Sequence, residues 1–291
     1  MKNSFDFTQV PADQLVAYYG LAFAAAASDG AITSDEFNAL FAMMDLSPLD
    51  ERQKDIVRGF CIKPPDIDTC FEQLARGSEV LRYAVAFGLV EVLLADDILT
   101  VEEEAFLARA CQVLQITNRQ RDAIVTFVQE AKRIQREGLD DNDAEKAIKS
   151  AVSGLTAVGV PIAAVYFSGS VIGLSAAGIT SGLAALGLGL GMVGGIGVVV
   201  LIGTGVFVGT RMLLGDRKKI KEQQFKAERD RKAQLAIKNL QDTISVLLER
   251  LTILEAKVAD LEKNGEAIIV LRERLEALKR VLQQRQGRFR G

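Results

Sequence analysis

The chain has 291 residues, with 35 Lys and Arg against 38 Asp and Glu, and it contains no His and no Trp. The absence of His removes the commonest general base and the commonest metal ligand, and no phosphate-binding loop or G-x-S-x-G nucleophile motif occurs, so we expect no enzymatic activity. Charge is unevenly distributed, because residues 1–149 hold 15 basic and 26 acidic side chains, residues 150–210 hold none, and residues 211–291 hold 20 and 12.

The acidic part predicts an all-helical domain over residues 1–140. Apolar residues recur at helical spacing in six stretches, which cover residues 12–27, 34–44, 49–60, 79–95, 101–114 and 118–136. Pro48 behind Ser47 is typical of the first helical position after an N-cap, so we expect Ser47 to cap the third helix. The three cysteines lie only in this part and form no C-x-x-C pair, which favours reduced thiols in a cytosolic domain.

A short pattern occurs twice in the acidic part, about 67 residues apart. The first copy, DGAITSDE, covers residues 29–36, and the second, DDILTVEE, covers residues 96–103. In each copy a long apolar helix ends at an Asp, a short loop follows, and Thr-x-x-Glu opens the next helix. This Thr-x-x-Glu spacing predicts a capping box, in which the Thr side chain accepts from the N3 amide and the Glu side chain accepts from the N-cap amide.

The repeated pattern resembles the TerB-like domain of the tellurite-resistance family over about residues 10–137, although the second copy has Asp97 where the first has Gly30. The resemblance implies a helical bundle whose acidic loops hold a weakly bound divalent cation, the only cofactor that we expect. The candidate ligands are Asp29, Glu36, Asp96 and Glu103. Two interpretations stay open, because capping alone explains each Thr and Glu, and neither loop has the carboxylate density of a calcium loop.

The glycine-rich part, residues 150–214, predicts a transmembrane helical hairpin. Its uncharged run, residues 150–210, is 61 residues long and holds 15 of the 25 glycines. A helix needs about 20 apolar residues to span a bilayer, so the run suffices for two or three passes. Glycines four residues apart let helices pack closely in lipid. The glycines that we expect at helix-packing positions are Gly178, Gly182, Gly187, Gly191, Gly195, Gly205 and Gly209.

The block at residues 173–185 resembles the glycine/alanine-rich hairpin of the interferon-induced 6-16 family, and similar hairpins occur in bacterial pore-forming effectors. Three interpretations stay open: a plain two-pass anchor, a helix assembly that opens a pore, and a buried hairpin that never enters a bilayer. The positive-inside rule places basic residues 217–232 in the cytoplasm, and an even number of passes places the acidic part there too. We therefore expect the inner membrane of a bacterium, with both soluble ends cytoplasmic.

The basic part, residues 216–291, predicts a juxtamembrane helix followed by a coiled-coil hairpin. Cations beside the membrane contribute about 1 kcal/mol each through anionic headgroups; the candidates are Arg211, Arg217, Lys218, Lys219 and Lys221. Apolar residues then alternate in steps of four and three, as in a coiled coil; they include Ile237, Leu240, Ile244, Leu247, Leu251, Leu254, Val258 and Leu261. Asn264-Gly265 interrupts the pattern and predicts a bend at residues 263–266, and a continuous parallel dimer with a stutter is the alternative.

These features predict an all-α, non-enzymatic, membrane-anchored stress or defence protein. Its TerB-like domain acts as a sensing or docking module on the cytosolic side. Its hairpin anchors the protein in the membrane, and its coiled coil assembles several copies of the chain. The expected partners are membrane lipids, further copies of the chain and an unidentified cytosolic protein. Nucleic acid is not expected, because the basic residues mix with acidic ones and lack interleaved aromatics. The alternative is a pore-forming or membrane-disrupting effector, an antiphage or interbacterial toxin, whose glycine-rich hairpin permeabilises the membrane.

Overall fold

The computed structural model describes residues 10–30, 32–137, 141–165, 201–202, 205–206, 217–256 and 261–290. Apart from a two-residue strand pair, the elements in these ranges are helical, which confirms the predicted all-helical class. The helices of the amino-terminal bundle are α1 (Ala12–Ala26), α2 (Ser34–Met43), α3 (Glu51–Gly59), α4 (Ile67–Ala75), α5 (Glu79–Leu93), α6 (Val101–Val113), α7 (Asn118–Glu137), α8 (Asp141–Ala157) and α9 (Ile162–Val165). The carboxy-terminal helices are α10 (Arg217–Ala256) and α11 (Leu261–Arg290).

Two helices, α1 and α5, form the centre of the bundle. Both are apolar on nearly every side, and a helix of that kind is stable only when neighbours surround it. Helices α2, α3, α4 and α6 accordingly contact α1, and α7 and α9 contact α5. Aromatic side chains fill the core, with Phe23 packed edge-on against Phe41 and Phe87 packed edge-on against Phe127.

The end of the bundle includes the first residues of the predicted membrane segment. Helix α8 runs through residue 150 to Ala157 and packs against α7, and α9 packs against α5. The apolar side chains of α8 recur at helical spacing and are buried in the bundle core; they are Ala144, Ile148, Val152 and Leu155. Residues 150–157 and 162–165 are therefore bundle residues, although the sequence predicts the membrane hairpin from residue 150 onwards.

The carboxy-terminal helices pack against each other and, together, against α2 of the bundle. Helix α10 ends at Ala256, and α11 begins at Leu261. The predicted bend at residues 263–266 is wrong, because Asn264 and Gly265 lie inside α11. One glycine costs a helix only about 1 kcal/mol, which the packing of α11 on α10 and α2 offsets.

Two local predictions in the bundle are also wrong. Helix α3 begins after Asp50, whose side chain accepts from the Gln53 amide in a capping box, and not after Ser47. The Ser47 hydroxyl and amide instead donate to the Asp45 carboxylate at 2.5 and 3.0 Å. Helix α4 was not predicted, because its apolar pattern spans only nine residues.

Within the glycine-rich part the structure describes one antiparallel pairing, between β1 (Leu201–Ile202) and β2 (Gly205–Val206). Leu201 pairs with Val206 and Ile202 pairs with Gly205. The sequence predicts a membrane helix at these residues, whereas the structure places Gly205 in strand β2. The predicted role of Gly205 in helix packing therefore does not match its place in the structure.

Candidate functional site

The first copy of the repeated pattern forms a capped turn between α1 and α2, which we call loop one (residues 27–33). Gly30 adopts a φ of 107°, a left-handed conformation that glycine accepts without steric cost. The Thr33 amide donates to Glu36 Oε2 at 2.7 Å, and the Glu36 amide donates to Thr33 Oγ1 at 3.2 Å. The predicted capping box is confirmed, and it fixes the Glu36 side chain over the start of α2.

The second copy forms an equivalent turn between α5 and α6, which we call loop two (residues 94–100). Asp97 occupies the position of Gly30 and keeps its left-handed backbone, with a φ of 70°. Asp is among the few residues that tolerate this conformation. The Thr100 amide donates to Glu103 Oε2 at 2.7 Å, and the Glu103 amide donates to Thr100 Oγ1 at 3.3 Å, so the second capping box is confirmed as well.

The two loops interact electrostatically through their buried glutamates. Glu36 and Glu103 are only 4% and 5% exposed. The pKa of Glu36 is raised to about 7, mainly by burial; hydrogen bonds from Thr33 oppose the rise, and the negative charges of Asp29 and Glu103 add to it. Residues 67 positions apart in sequence thus share one acidic site, which we call the paired-loop site: loops one and two with Glu36 and Glu103.

The predicted cation site rests on these same carboxylates. Each capping box uses Oε2 of its glutamate. The hydrogen bonds of the two boxes therefore do not involve Oε1 of Glu36 or of Glu103. The Asp96 carboxylate accepts from the Ile98 amide through Oδ1 at 3.1 Å. Among the described residues, no group of three or more His, Cys, Asp or Glu side chains is arranged to hold a metal ion. Cation binding by Asp29, Glu36, Asp96 and Glu103 therefore stays a prediction.

Basic side chains from two different elements contact the two loops. At loop one, Arg274 of α11 donates to the Ile32 carbonyl at 3.3 Å and lies over the Phe37 ring at 5.8 Å. At loop two, Lys132 of α7 donates to the carbonyl oxygens of Leu94 and Ala95. Asp97 pairs with both Lys132, at 3.0 Å, and Arg136 of α7. The loops are held in equivalent ways by different parts of the chain.

Helix α2 continues this contact with the carboxy-terminal helices along its whole length. Arg285 donates to the Asn38 carbonyl at 2.7 Å, and the buried Asn239 donates to the Met44 carbonyl at 3.1 Å. Asn239 thereby satisfies a carbonyl at the end of α2 that has no partner within the helix. Arg231 pairs with Asp45 at 3.6 Å just beyond that end.

Helix α3 adds an ion pair to the same interface. Arg58 of α3, which is buried, lies 3.3 Å from the Asp242 carboxylate of α10 and 2.9 Å from Asp55 of its own helix. We call the surface of α2 and α3 that carries α10 and α11 the docking face.

The predicted heptad residues contribute the apolar part of this interface. Leu240, Ile244 and Leu247 are buried in one core with the bundle and with α11. Three further heptad residues are partly buried: Ile237, Leu251 and Leu254. Val258 and the side chain of Leu261 lie outside the described part of the chain. Thr243 is also fully buried, so the covered face of α10 is wider than the predicted heptad positions.

The predicted membrane and lipid residues fall almost entirely outside the described part of the chain. Those positions are Gly178, Gly182, Gly187, Gly191, Gly195, Gly209 and Arg211, together with the side chains of Arg217, Lys218, Lys219 and Lys221. Among the helices that the structure describes, none has the length and apolar content to cross a bilayer.

The three cysteines are free and buried. Burial raises the pKa of the Cys61 thiol to about 12 and that of Cys70 and Cys111 to about 11. The thiolate is the reactive form of cysteine, so these thiols are packing groups rather than a reactive site.

Comparison with known families agrees with the acidic repeat. Residues 15–126, which contain both loops, match the family model described as Tellurite resistance protein TerB. The predicted resemblance to the TerB family is therefore confirmed for this part of the chain. The resemblance of the glycine-rich block to the interferon-induced 6-16 family gained no support. No curated protein and no solved structure matched the chain.

Several residues of the site could not be found from the sequence. Lys132, Arg136 and Arg274 look like ordinary solvent-exposed cations on amphipathic helices, and only the fold brings them to the loops. For Asn239 and Thr243 the sequence gives only a weak indication of burial, because they are uncharged polar residues beside the apolar positions of α10.

Proposed function

We propose that this chain is a non-enzymatic protein that attaches a TerB family domain to a membrane, where the domain acts as a sensing or docking module in stress or defence. One observation carries the proposal. The helices on both sides of the glycine-rich segment pack on the same bundle, α9 against α5 and α10 against α2.

This arrangement supports an even number of membrane passes. Val165 at the end of α9 is buried in the bundle core, and Arg231 of α10 pairs with Asp45 at 3.6 Å. A segment whose two flanks rest on one body must leave the membrane on the side where it entered. Together with the basic residues after the segment and the reduced thiols before it, this favours a bundle on the cytoplasmic side.

The proposed partners follow from charge and packing. The basic residues at 211–221 suit anionic lipid headgroups, and the glycines of residues 178–209 suit close contact between membrane helices of further copies. The acidic paired-loop site suits a cationic ligand or a basic surface of a cytosolic protein. We propose no nucleic-acid partner.

Carbonate washing of membranes from expressing cells tests the attachment. The wild-type protein should stay in the pellet. Replacing Leu190 and Val199 together by Arg should release it, because each Arg near the centre of a membrane helix costs about 2.5–3.5 kcal/mol. Leu248→Arg, at an exposed position of α10, is the matched control and should remain membrane-bound. Extraction of the wild-type protein by carbonate alone would contradict the proposal.

Dye release from anionic liposomes separates an anchor from a pore. An anchor binds the liposomes without releasing dye. Release that Gly191→Ile abolishes would instead favour the pore-forming effector, because Ile keeps the segment apolar while it prevents close helix contact.

A further inference from the structure

The glycine-rich segment has one bundle-packed arm on each side. The amino-terminal arm is α8 with α9, which follow α7, and the carboxy-terminal arm is α10 with α11. Each arm is connected to a different acidic loop. Arg274 of the carboxy-terminal arm holds the Ile32 carbonyl of loop one. Lys132 and Arg136 of α7, on which α8 packs, hold loop two.

We propose that the paired-loop site controls both arms of the glycine-rich segment, loop one through Arg274 and loop two through Lys132 and Arg136. This inference rests on the proposed function, because it describes how the sensing domain would act on the membrane segment.

The path from loop one to the carboxy-terminal arm is short. Ile32 directly precedes the capping residue Thr33, so a change in the cap moves the carbonyl that accepts from Arg274. The same cap starts α2, whose Asn38 and Met44 carbonyls accept from Arg285 and Asn239 of the arm. A loosened cap therefore weakens successive contacts of one arm.

The path from loop two to the amino-terminal arm uses the left-handed residue of that loop. Asp97 pairs with Lys132 and Arg136, and both lie in the second half of α7. Helix α8 packs along α7 with Ala144, Ile148 and Val152 in the core.

The repeat supplies matched variants for hydrogen exchange of the full-length chain. Thr33→Ala should speed amide exchange at residues 274–285 about fivefold, as expected for loss of one cap, and leave residues 144–155 unchanged. Thr100→Ala should have the opposite pattern. Amide exchange should become faster at residues 130–155 and stay unchanged at residues 274–285. Equal acceleration of both arms by both variants, or of neither arm by either, would overturn the proposal.

A second pair of variants tests the connecting residue itself. Arg274→Ala should accelerate exchange at residues 275–285, and Thr33→Ala added to it should produce no further change there. Arg280 is the control, because its hydrogen bond among the described residues goes to the Glu276 carbonyl of its own helix, at 3.3 Å. Arg280→Ala should exchange like the wild type. Additive effects of Arg274→Ala and Thr33→Ala would overturn the connection.

Hydrogen exchange requires no membrane, so the two ideas can fail separately. If carbonate releases the wild-type protein while the exchange pattern holds, only the membrane attachment is wrong. If the protein stays in the pellet while the exchange pattern fails, only the control of the arms is wrong.

Discussion

At the scale of single residues, the surroundings of Glu36 act on its pKa in opposite directions. Its hydrogen bonds with Thr33 favour the carboxylate, while burial and the nearby charges of Asp29 and Glu103 disfavour it. Burial dominates, so the pKa of Glu36 lies near 7 and well above the ordinary range of a glutamate. The glutamate that completes the capping box of α2 is therefore sensitive to pH in the neutral range.

The stability of the bundle should depend on pH through Glu36. Because its pKa is raised in the folded state, its stabilising contribution is complete below about pH 4.5, declines as pH rises, and is lost above about pH 7. Glu36→Gln keeps a side chain that can complete the capping box and removes the buried charge. The variant should raise the free energy of unfolding at pH 8 by about 2 kcal/mol and have little effect at pH 4.5.

Urea unfolding of the full-length chain at the two pH values measures this difference. Glu102→Gln is the control, because Glu102 is exposed on the first turn of α6 and the substitution removes no buried charge. A Glu36→Gln variant that is no more stable than the wild type at pH 8 would contradict the assigned burial cost.

At the scale of elements, close packing of α5 against α1 depends on Gly88. A Cβ atom added there would overlap the Tyr18 hydroxyl oxygen and lie 2.6 Å from Met43 Cε. On α8, by contrast, a Cβ added at Gly154 meets nothing within 4 Å. The same substitution therefore has opposite consequences on two helices of one bundle.

Gly88→Ala should lower the free energy of unfolding by about 1–3 kcal/mol, because overpacking forces core side chains apart. Gly154→Ala should raise it by about 0.5–1 kcal/mol, because alanine favours the helix and fits the open space. Thermal melting of the two variants beside the wild type checks the signs, and a stabilised Gly88→Ala variant would show that α1 and α5 are less closely packed.

The docking face also contains a buried polar contact whose loss has a defined effect. Asn239→Ala leaves the Met44 carbonyl without its donor at the end of α2, which should destabilise the chain by about 1–2 kcal/mol. Gln241→Ala, two residues along on the exposed side of α10, should change stability by less than about 0.5 kcal/mol. Chemical denaturation of both variants tests the contact, and equal stability of the two would argue against a docked α10.

At the scale of the whole molecule, the acidic bundle and the basic carboxy-terminal helices attract each other in addition to their apolar contact. The amino-terminal 149 residues hold 15 basic and 26 acidic side chains, while residues 211–291 hold 20 and 12. Part of that positive charge lies at α2 and its two ends, where it is carried by Arg231, Arg274 and Arg285. The chain thus returns to its own bundle after the glycine-rich segment.

This return predicts that Arg52 and Gln223 lie on the same side of the membrane. Single cysteines introduced at these two positions should both resist a membrane-impermeant maleimide in intact cells and both react after lysis. The native thiols are buried with raised pKa and react slowly, so they add little background. Labelling of only one introduced cysteine in intact cells would mean an odd number of passes.

The sequence by itself determined most of the bundle helices and two of their capping boxes, because these depend on neighbouring residues. Apolar spacing placed most bundle helices within a few residues, and Thr-x-x-Glu placed both capping boxes. It failed for α4, whose pattern is short, and at Asn264-Gly265, where packing overrides the helix-breaking tendency of one glycine.

Only the tertiary structure decided which distant residues meet. Three features join positions far apart in sequence: the electrostatic interaction of Glu36 with Glu103, the contact of Arg274 with loop one, and the docking of α10 and α11 on α2. Neither hydrophobic period nor charge pattern specifies such pairings, because an exposed arginine and one that holds a loop have the same local sequence signature. The burial that shifts the pKa of Glu36 likewise exists only once the helices are packed.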